Sequence, residues 1–540
     1  MSRRSIFCTL IAFFLFAPIT FPAVEVFNGH SVVLDGTGKL LAWVQPQDRA
    51  YDRIMRLAWD FLLNSVPVEG NGLKTFYSYC CMDTVAGRGT AWPHNSAGLY
   101  AMLADSAAAY YAYSGDYRVV TLVQGLLDYE IFHGTTPASW PWGGVPYASA
   151  DHGATEYRGA FEFQYDKTLL GRGDGYGVIE PDKAGELGVG YLKFFKLTGN
   201  PLYRSAALAC ADALARNIRP GSAEKSPWPF RVYAETGFVR EDYTANIVPA
   251  VRLFDELIRL GLGDVAAFRK AREQAWAWLL EYPMKNGIWS NYFEDVPIMP
   301  DLKNLNQYSP METARYLMEH PEANQDWRNQ VEKLVEFVER TFGVDYPQGG
   351  SNNQGKQWGA NVISEQLHYM PKMGSHTSRY ASVLARWAEL TGDTAARDKA
   401  FRSFNWATYM CRDNGVVNDQ PSLAHAGIWF SDGYGDYIRH FMSGIGAIPE
   451  WAPTGENHIL RSSSIVCHVA YRLDRIDYRT FDLEATEVLR LGFEPGRVTA
   501  SQETLERQTD PNAPGWIYNS KTGVLRLRHT RSNSIEVAAR

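Results

Sequence analysis

Leu-Thr-Gly-Asn-Pro-Leu-Tyr-Arg (197–204) returns, altered, as Leu-Thr-Gly-Asp-Thr-Ala-Ala-Arg (390–397). Three further junctions belong with them: Tyr-Ser-Gly-Asp-Tyr-Arg (113–118), Leu-Gly-Asp-Val-Ala-Ala-Phe-Arg (262–269) and Pro-Glu-Ala-Asn-Gln-Asp-Trp-Arg (321–328). Each closes an apolar helix and opens an amphipathic one. Long loops alternate with these tight turns, at about 132–180, 218–241, 283–308, 344–374 and 412–432, and hold most of the Trp, His and paired carboxylates. Tight turns on one face and rich loops on the other predict a ring of helical hairpins with its binding site on the loop face.

Working outward, the apolar pattern predicts twelve helices, at 48–64, 95–113, 116–132, 181–198, 201–217, 243–261, 264–282, 310–319, 323–342, 375–391, 394–410 and 433–444. Helix 323–342 carries Val331, Leu334, Val335 and Val338 on one stripe with charges elsewhere, as an outer helix does. Helix 95–113 is apolar or small on every side, through Leu99, Met102, Leu103, Ala107 and Ala108, as suits an inner helix. The even-numbered helices therefore form the inner ring, and every long loop leads into an inner-helix N-terminus. Those ends carry partial positive charge and free N–H groups, so the loop face is predisposed to bind an anion such as a carboxylate.

The flanks differ. Arg3 and Arg4 precede an apolar run from Ile6 to Ala17, which predicts a signal peptide over 1–23 and a secreted or periplasmic protein. A β-hairpin is expected at 24–46, the helical domain over 47–450, and a small β-domain over 451–540, where Ile465, Cys467 and Val469 alternate. The 24–46 hairpin is expected to join that β-domain, which reads as a structural cap. The chain has 540 residues, too many for one ordinary core, and a net charge of −7, which argues against a nucleic-acid or anionic-membrane partner. Aromatics reach 13 %, with 16 Trp and 30 Tyr, an enzyme-like composition. Cys80, Cys81, Cys210, Cys411 and Cys467 are too few and too scattered for a disulfide framework, and no Cys/His spacing suits zinc; neither a metal nor a cofactor is expected.

Candidate chemistry gathers in the loops. The catalytic candidates are Asp174, Asp242, Glu235 and Asp151. Asp174 stands between glycines that let backbone approach a ligand. His94, Trp142, His152, Arg158, Arg240, Tyr243, Trp358, His376, Arg379, Trp429 and Asp432 are the candidates for substrate binding. Asp242 and Asp432 also stand where helix N-caps stand. Asp182 follows Pro181 in a first helical turn and reads as a carboxylate serving the helix dipole. Ser309-Pro310-Met311-Glu312 reads as a capping box, which removes Glu312 from the catalytic candidates.

On the hairpin plan, the Leu-Thr-Gly-Asn-Pro-Leu-Tyr-Arg type of turn and the loop aromatics, residues 48–445 resemble carbohydrate-active enzymes of the (α/α)6-toroid type, in general appearance the unsaturated glucuronyl and rhamnogalacturonyl hydrolases and related β-glucuronidases. Asp151-His152-Gly153 is a reversed counterpart of their His-Asp segment, so no catalytic residue carries over. The resemblance implies a glycoside hydrolase on uronic-acid-containing oligo- or polysaccharides. Acid chemistry there needs two carboxylates, or one and a positioned water. Asp174 would be the acid, with Asp242 or Glu235 handling water and arginines such as Arg158, Arg240 and Arg379 clamping a uronate. The alternatives are a polysaccharide lyase using Tyr243 or His376 as base, and a glycan-binding protein without catalysis.

Overall fold

The computed structural model describes residues 25–540 except 71, 75–80, 84–87, 90–94, 151–155, 160–174, 291–303, 345–356, 368–369, 422–427, 431 and 502, and the backbone alone at 81–83, 88–89, 428–430, 432 and 433. Its helices are α1 (Ala50–Asp60), α2 (Ser96–Ser114), α3 (Tyr117–His133), α4 (Pro181–Thr198), α5 (Pro201–Asn217), α6 (Val248–Leu260), α7 (Val265–Glu281), the one-turn α8 (Pro283–Asn286), α9 (Tyr308–Glu319), α10 (Trp327–Phe342), α11 (Gly374–Thr391), α12 (Thr394–Thr408) and α13 (Asp432–Ala447). A π-helical turn, Phe61–Ser65, extends α1.

The tight turns work by capping. Gly115, Gly199, Gly261 and Gly392 end α2, α4, α6 and α11 at φ of 74°, 74°, 65° and 77°, the left-handed region that glycine enters without a Cβ clash. Asp116, Asn200, Asp264 and Asp393 then accept backbone N–H bonds from the first turn of the next helix. The fourth junction departs from this plan. Pro321–Ala323 forms a 3-10 turn, and α10 starts at Trp327 with no side-chain cap.

Helix contacts close a cycle: α2 packs on α4, α4 on α6, α6 on α9, α9 on α11, α11 on α13, and α13 on α2. Outside it α3, α5, α7, α10 and α12 each pair with the inner helix before them, and α1 packs on α13. Inner α2 is buried nearly all round, whereas outer α10 buries only Val331, Leu334, Val338 and Phe342.

Two antiparallel sheets, of five and four strands, make the C-terminal β-domain from His458–Ser462 to Ser534–Ala539. It sits on the turn face: His458 Nδ1 lies 2.9 Å from the Tyr113 carbonyl, and the Tyr471 hydroxyl donates to Ala112 O, both at the end of α2. The N-terminal hairpin does not join it. Val26–Phe27 pairs with His30–Ser31, and the segment packs on the end of α12, where the Tyr409 hydroxyl accepts from Val33 N at 3.0 Å. Phe27 packs there, its ring tilted against those of Trp358, Trp406 and Tyr409.

On the loop face, Val178–Ile179, Arg231–Tyr233 and Val239–Glu241 form a small sheet joining the loops before α4 and α6. Cys81–Asp83 pairs with Ile428–Phe430, joining those before α2 and α13. Cys210 and Cys411 are buried free thiols, and Cys467 is also free; Cys80 and residues 1–24 lie outside the described residues. Among the described residues no helix is long and apolar enough to cross a membrane.

Candidate functional site

Pro181 opens α4 with its ring in place of a helical N–H, and the next turn points two carboxylates to one side: Asp182 and Glu186, four residues apart. Both are buried because an inner helix has no solvent face. Asn246, from the loop entering α6, donates its amide to Asp182 Oδ2 at 3.0 Å and to Glu186 Oε1 at 3.2 Å. The Tyr308 hydroxyl at the start of α9 donates to the same Glu186 oxygen at 2.7 Å. Lys183 Nζ stands 3.5 Å from Glu186 Oε2.

Burial pushes Asp182 up to about 6; the charge of Glu186 adds to the rise, and Lys183 and the Asn246 amide only partly oppose it. For Lys183, burial works against the charge, but Glu186, Asp182 and Glu180 outweigh it and hold the ammonium well above its usual range. Asp182 is thus a buried acid that titrates near neutrality beside a fixed cation, a combination suited to proton donation.

A second group faces it from α9, α11 and α13. Gln307 Nε2 and Arg379 Nη1 both donate to His376 Nδ1, at 2.5 and 2.8 Å. Two donors on Nδ1 assign the ring proton to Nε2, and Glu365 Oε1 lies 3.7 Å from that nitrogen. Burial, then the Arg379 charge, hold His376 well below its usual range. Arg379 also pairs with Asp436, which accepts from Arg439 Nε at 2.8 Å and from His440 Nε2 at 3.0 Å. Glu312 lies within 3.5 Å of Arg315 and 3.9 Å of Arg379. Burial would raise it, but Arg315, Arg439, Arg252 and Arg379 hold it at about 2.

Below these groups a cavity of about 680 Å³ runs inside the helix cycle. Glu186 and Tyr308 line its loop-face end, and Arg461, Ser462 and Ser463 of the β-domain line the other.

Of the catalytic candidates, Asp174 and Asp151 lie outside the described residues, as do His94 and His152; the side chains of Trp429 and Asp432 do too. Glu235 is exposed on the turn after Tyr233. Asp242 is not a helix cap, because α6 starts at Val248 behind Ile247; it is partly exposed and bound by Arg219 at 2.6 Å. Trp142 is buried in the loop it was expected to present. Trp358 faces the N-terminal hairpin, its Nε1 3.2 Å from Glu25 Oε2. The buried Tyr243 hydroxyl donates to Ile288 O at 2.7 Å. Arg158 is largely exposed near Glu156, and Arg240 lies 3.7 Å from Glu241. Arg379 is only 1 % exposed and committed to Asp436, so it is not a free clamp. What the structure brings together is His376 and Arg379 with residues that the sequence reading set aside.

The capping box is not formed. Tyr308 opens α9 and its N–H bonds Asn306 Oδ1 at 2.5 Å, which puts Ser309 and Glu312 inside the helix and Glu312 on the cavity wall. Asp182 with Glu186 was findable as an i, i+4 carboxylate pair on a helix with no polar face. Asn246, three residues before Pro249, carried no such signal.

Among the described residues no three His, Cys, Asp or Glu side chains are grouped to hold a metal ion. The sequence matches no protein-family profile and no curated protein. Among solved structures, the chain is similar to a family 76 glycoside hydrolase from a bovine Bacteroides thetaiotaomicron strain, at TM-score 0.47 and 11 % identity over 76 % of this chain and 80 % of that one. It is also similar to a sugar epimerase from a ruminal bacterium, at 0.49 and 9 % over 73 % and 99 %, and to an unsaturated glucuronyl hydrolase specific for heparin, at 0.41 and 9 % over 75 % and 98 %. Every one of these TM-scores is below 0.5, so the chemistry is read from this chain's own residues.

Proposed function

We propose that the chain is an (α/α)6-toroid glycoside hydrolase, secreted through its N-terminal signal, that cleaves uronic-acid-containing oligo- or polysaccharides. The closed cycle of six inner and six outer helices supports the toroid. The observation that carries the chemistry is the Asp182–Asn246–Glu186 bridge, with Asp182 raised to about 6.

Asp182 is the general acid. A carboxyl that titrates near neutrality is protonated often enough to protonate a leaving glycosidic oxygen, and becomes a carboxylate able to take a proton back. Asn246 positions Asp182 and Glu186, and Tyr308 fixes Glu186 from the opposite helix. Both carboxylates lie on one turn of one helix, so they act as a single tuned acid rather than as two groups flanking a sugar. The sequence offered Asp242 or Glu235 to handle water and Asp174 as the acid; here Asp182 takes the acid's role, and Asp174 lies outside the described residues. The N-termini of α4, α6, α9 and α11 supply the partial charge that a uronate carboxylate seeks.

Hydrolysis is preferred over elimination because the two expected lyase bases are occupied. His376 accepts two N–H bonds on Nδ1 and holds its proton on Nε2, and the Tyr243 hydroxyl is spent on Ile288 O. The test is a panel of uronic-acid oligosaccharides followed by reducing-end release and ultraviolet absorbance. Reducing ends without new absorbance support hydrolysis. New absorbance from a C=C bond means a lyase, and binding without either signal means a glycan-binding protein.

A further inference from the structure

The end of the cavity against the β-domain has a charge imbalance that hydrolysis at the loop face does not explain. Six cations line the cavity: Lys193, Arg252, Arg315, Arg386, Arg439 and Arg461. Facing them are Asp105, Glu186, Glu312 and Glu319. Carboxylates behind the wall do not restore the balance: Asp436 is shared by Arg439 and Arg379, and Glu389 by Arg386, Arg461 and Arg526. Two more carboxylates arrive with two more arginines, so among these described residues an excess of two positive charges remains. His440, held at about 3 chiefly by burial, adds none at neutral pH.

The excess is concentrated at one place. Glu389 receives Arg461 Nη1 and Nη2 at 2.6 and 2.8 Å, Arg526 Nη1 at 3.3 Å, and Arg386 as well. One carboxylate cannot neutralise three guanidinium groups, and cations drawn together in a partly dehydrated pocket repel unless an anion joins them. Arg386 and Arg461 are about a third exposed, 28 % and 34 %, so an ion can exchange with solvent.

We propose that this end of the cavity binds an oxyanion, a carboxylate, sulfate or phosphate group held between Arg386 of α11 and Arg461 of the β-domain strand His458–Ser462. Glu389 takes both Nη groups of Arg461 and Nη1 of Arg386, so the donors left for the ion are Arg386 Nη2 and Nε and Arg461 Nε, whose charge favours an oxyanion. The bound ion ties the β-domain to the helix ring. The site lies at the opposite end of the cavity from Glu186 and Tyr308 and does not depend on the hydrolase reading.

The test is thermal unfolding of the full chain at fixed ionic strength, with chloride replaced stepwise by sulfate, by inorganic phosphate or by a uronic-acid oligosaccharide. A binding site gives a midpoint that rises and saturates with concentration, whereas general salt exclusion gives a steady rise without saturation. The native protein is expected to saturate. Arg386→Gln and, separately, Arg461→Gln should raise the half-saturating concentration about tenfold or more, as expected for losing one charge-assisted pair, and Arg461→Lys should weaken binding less than Arg461→Gln, because it keeps the charge and loses the planar donors. Saturation with sulfate or phosphate assigns a free ion; saturation with the oligosaccharide alone assigns a saccharide carboxylate. Asp182→Asn should respond like the native chain, which separates this site from the proposed catalytic one. A non-saturating rise in the native protein overturns the proposal even if neither arginine variant folds, and so does an unchanged response in the variants.

Discussion

Asn246 donates one side-chain amide to two carboxylates, Asp182 Oδ2 at 3.0 Å and Glu186 Oε1 at 3.2 Å. The bridge holds together groups that would otherwise repel, and it favours the ionised form of Asp182. Asn246→Ala removes that support, so the Asp182 pKa should rise, by about one to two units for a hydrogen bond to a charged group. The alkaline limb of the pH–rate profile should then move up by the same amount, measured as kcat against pH on any cleaved oligosaccharide. An unmoved limb would detach Asp182 from the rate.

Asp182 should also be costly to the fold. Its folded pKa of about 6 lies above the ordinary 3.8, so protonation favours the folded state. That contribution is complete below about pH 3.8 and is lost as pH rises through 6; at pH 8 the ionised carboxylate costs on the order of 3 kcal/mol. Asp182→Asn should therefore unfold at higher urea than the native chain at pH 8, with the gap narrowing below pH 4. Activity should fall about 10²- to 10⁴-fold. A site residue that loses activity and gains stability is one held for chemistry rather than for packing.

Glu312 behaves in the opposite sense. Its folded pKa of about 2 lies below the ordinary 4.5, so its charge stabilises the fold above pH 4.5, and that stability is lost as pH falls toward 2. Glu312→Gln should cost on the order of 3 kcal/mol at pH 7, read by urea unfolding, with the difference closing in acid.

The hinge turns make a prediction independent of the site. Gly199 and Gly392 sit at φ of 74° and 77°, and a Cβ there would meet no atom within 4 Å. Gly199→Ala and Gly392→Ala should each cost about 1 kcal/mol from backbone strain alone, without changing activity.

These results also show how far the sequence was legible. Four of the five tight turns were, because glycine at a left-handed helix end followed by an Asn or Asp cap is local chemistry that a few residues specify; the turn at 321–328, without glycine, was not. The inner and outer helices were too, because burial on all sides leaves no polar stripe. Failures came where another residue takes the expected partner, close by in one case and distant in the others. Ser309 to Glu312 has the spacing of a capping box, yet Asn306 meets the Tyr308 N–H first and starts α9 earlier, turning Glu312 toward Arg315 of α9 and Arg379 of α11. Asp242 precedes the α6 pattern, but Arg219 binds it and the helix begins six residues later. Arg379 reads as a clamp in sequence, while Asp436, 57 positions away, neutralises it in the fold. The Asp182–Asn246–Glu186 bridge spans 64 positions, beyond any local pattern.

The central claim is that Asp182 donates a proton to a glycosidic oxygen. The most direct measurement compares native protein and Asp182→Asn on uronic-acid oligosaccharides, reading reducing ends and ultraviolet absorbance together. The account predicts reducing ends from the native chain without new absorbance, and a loss of about 10²-fold or more in the variant with its fold intact. Equal rates in the two proteins, or absorbance rising with the reducing ends, would contradict it.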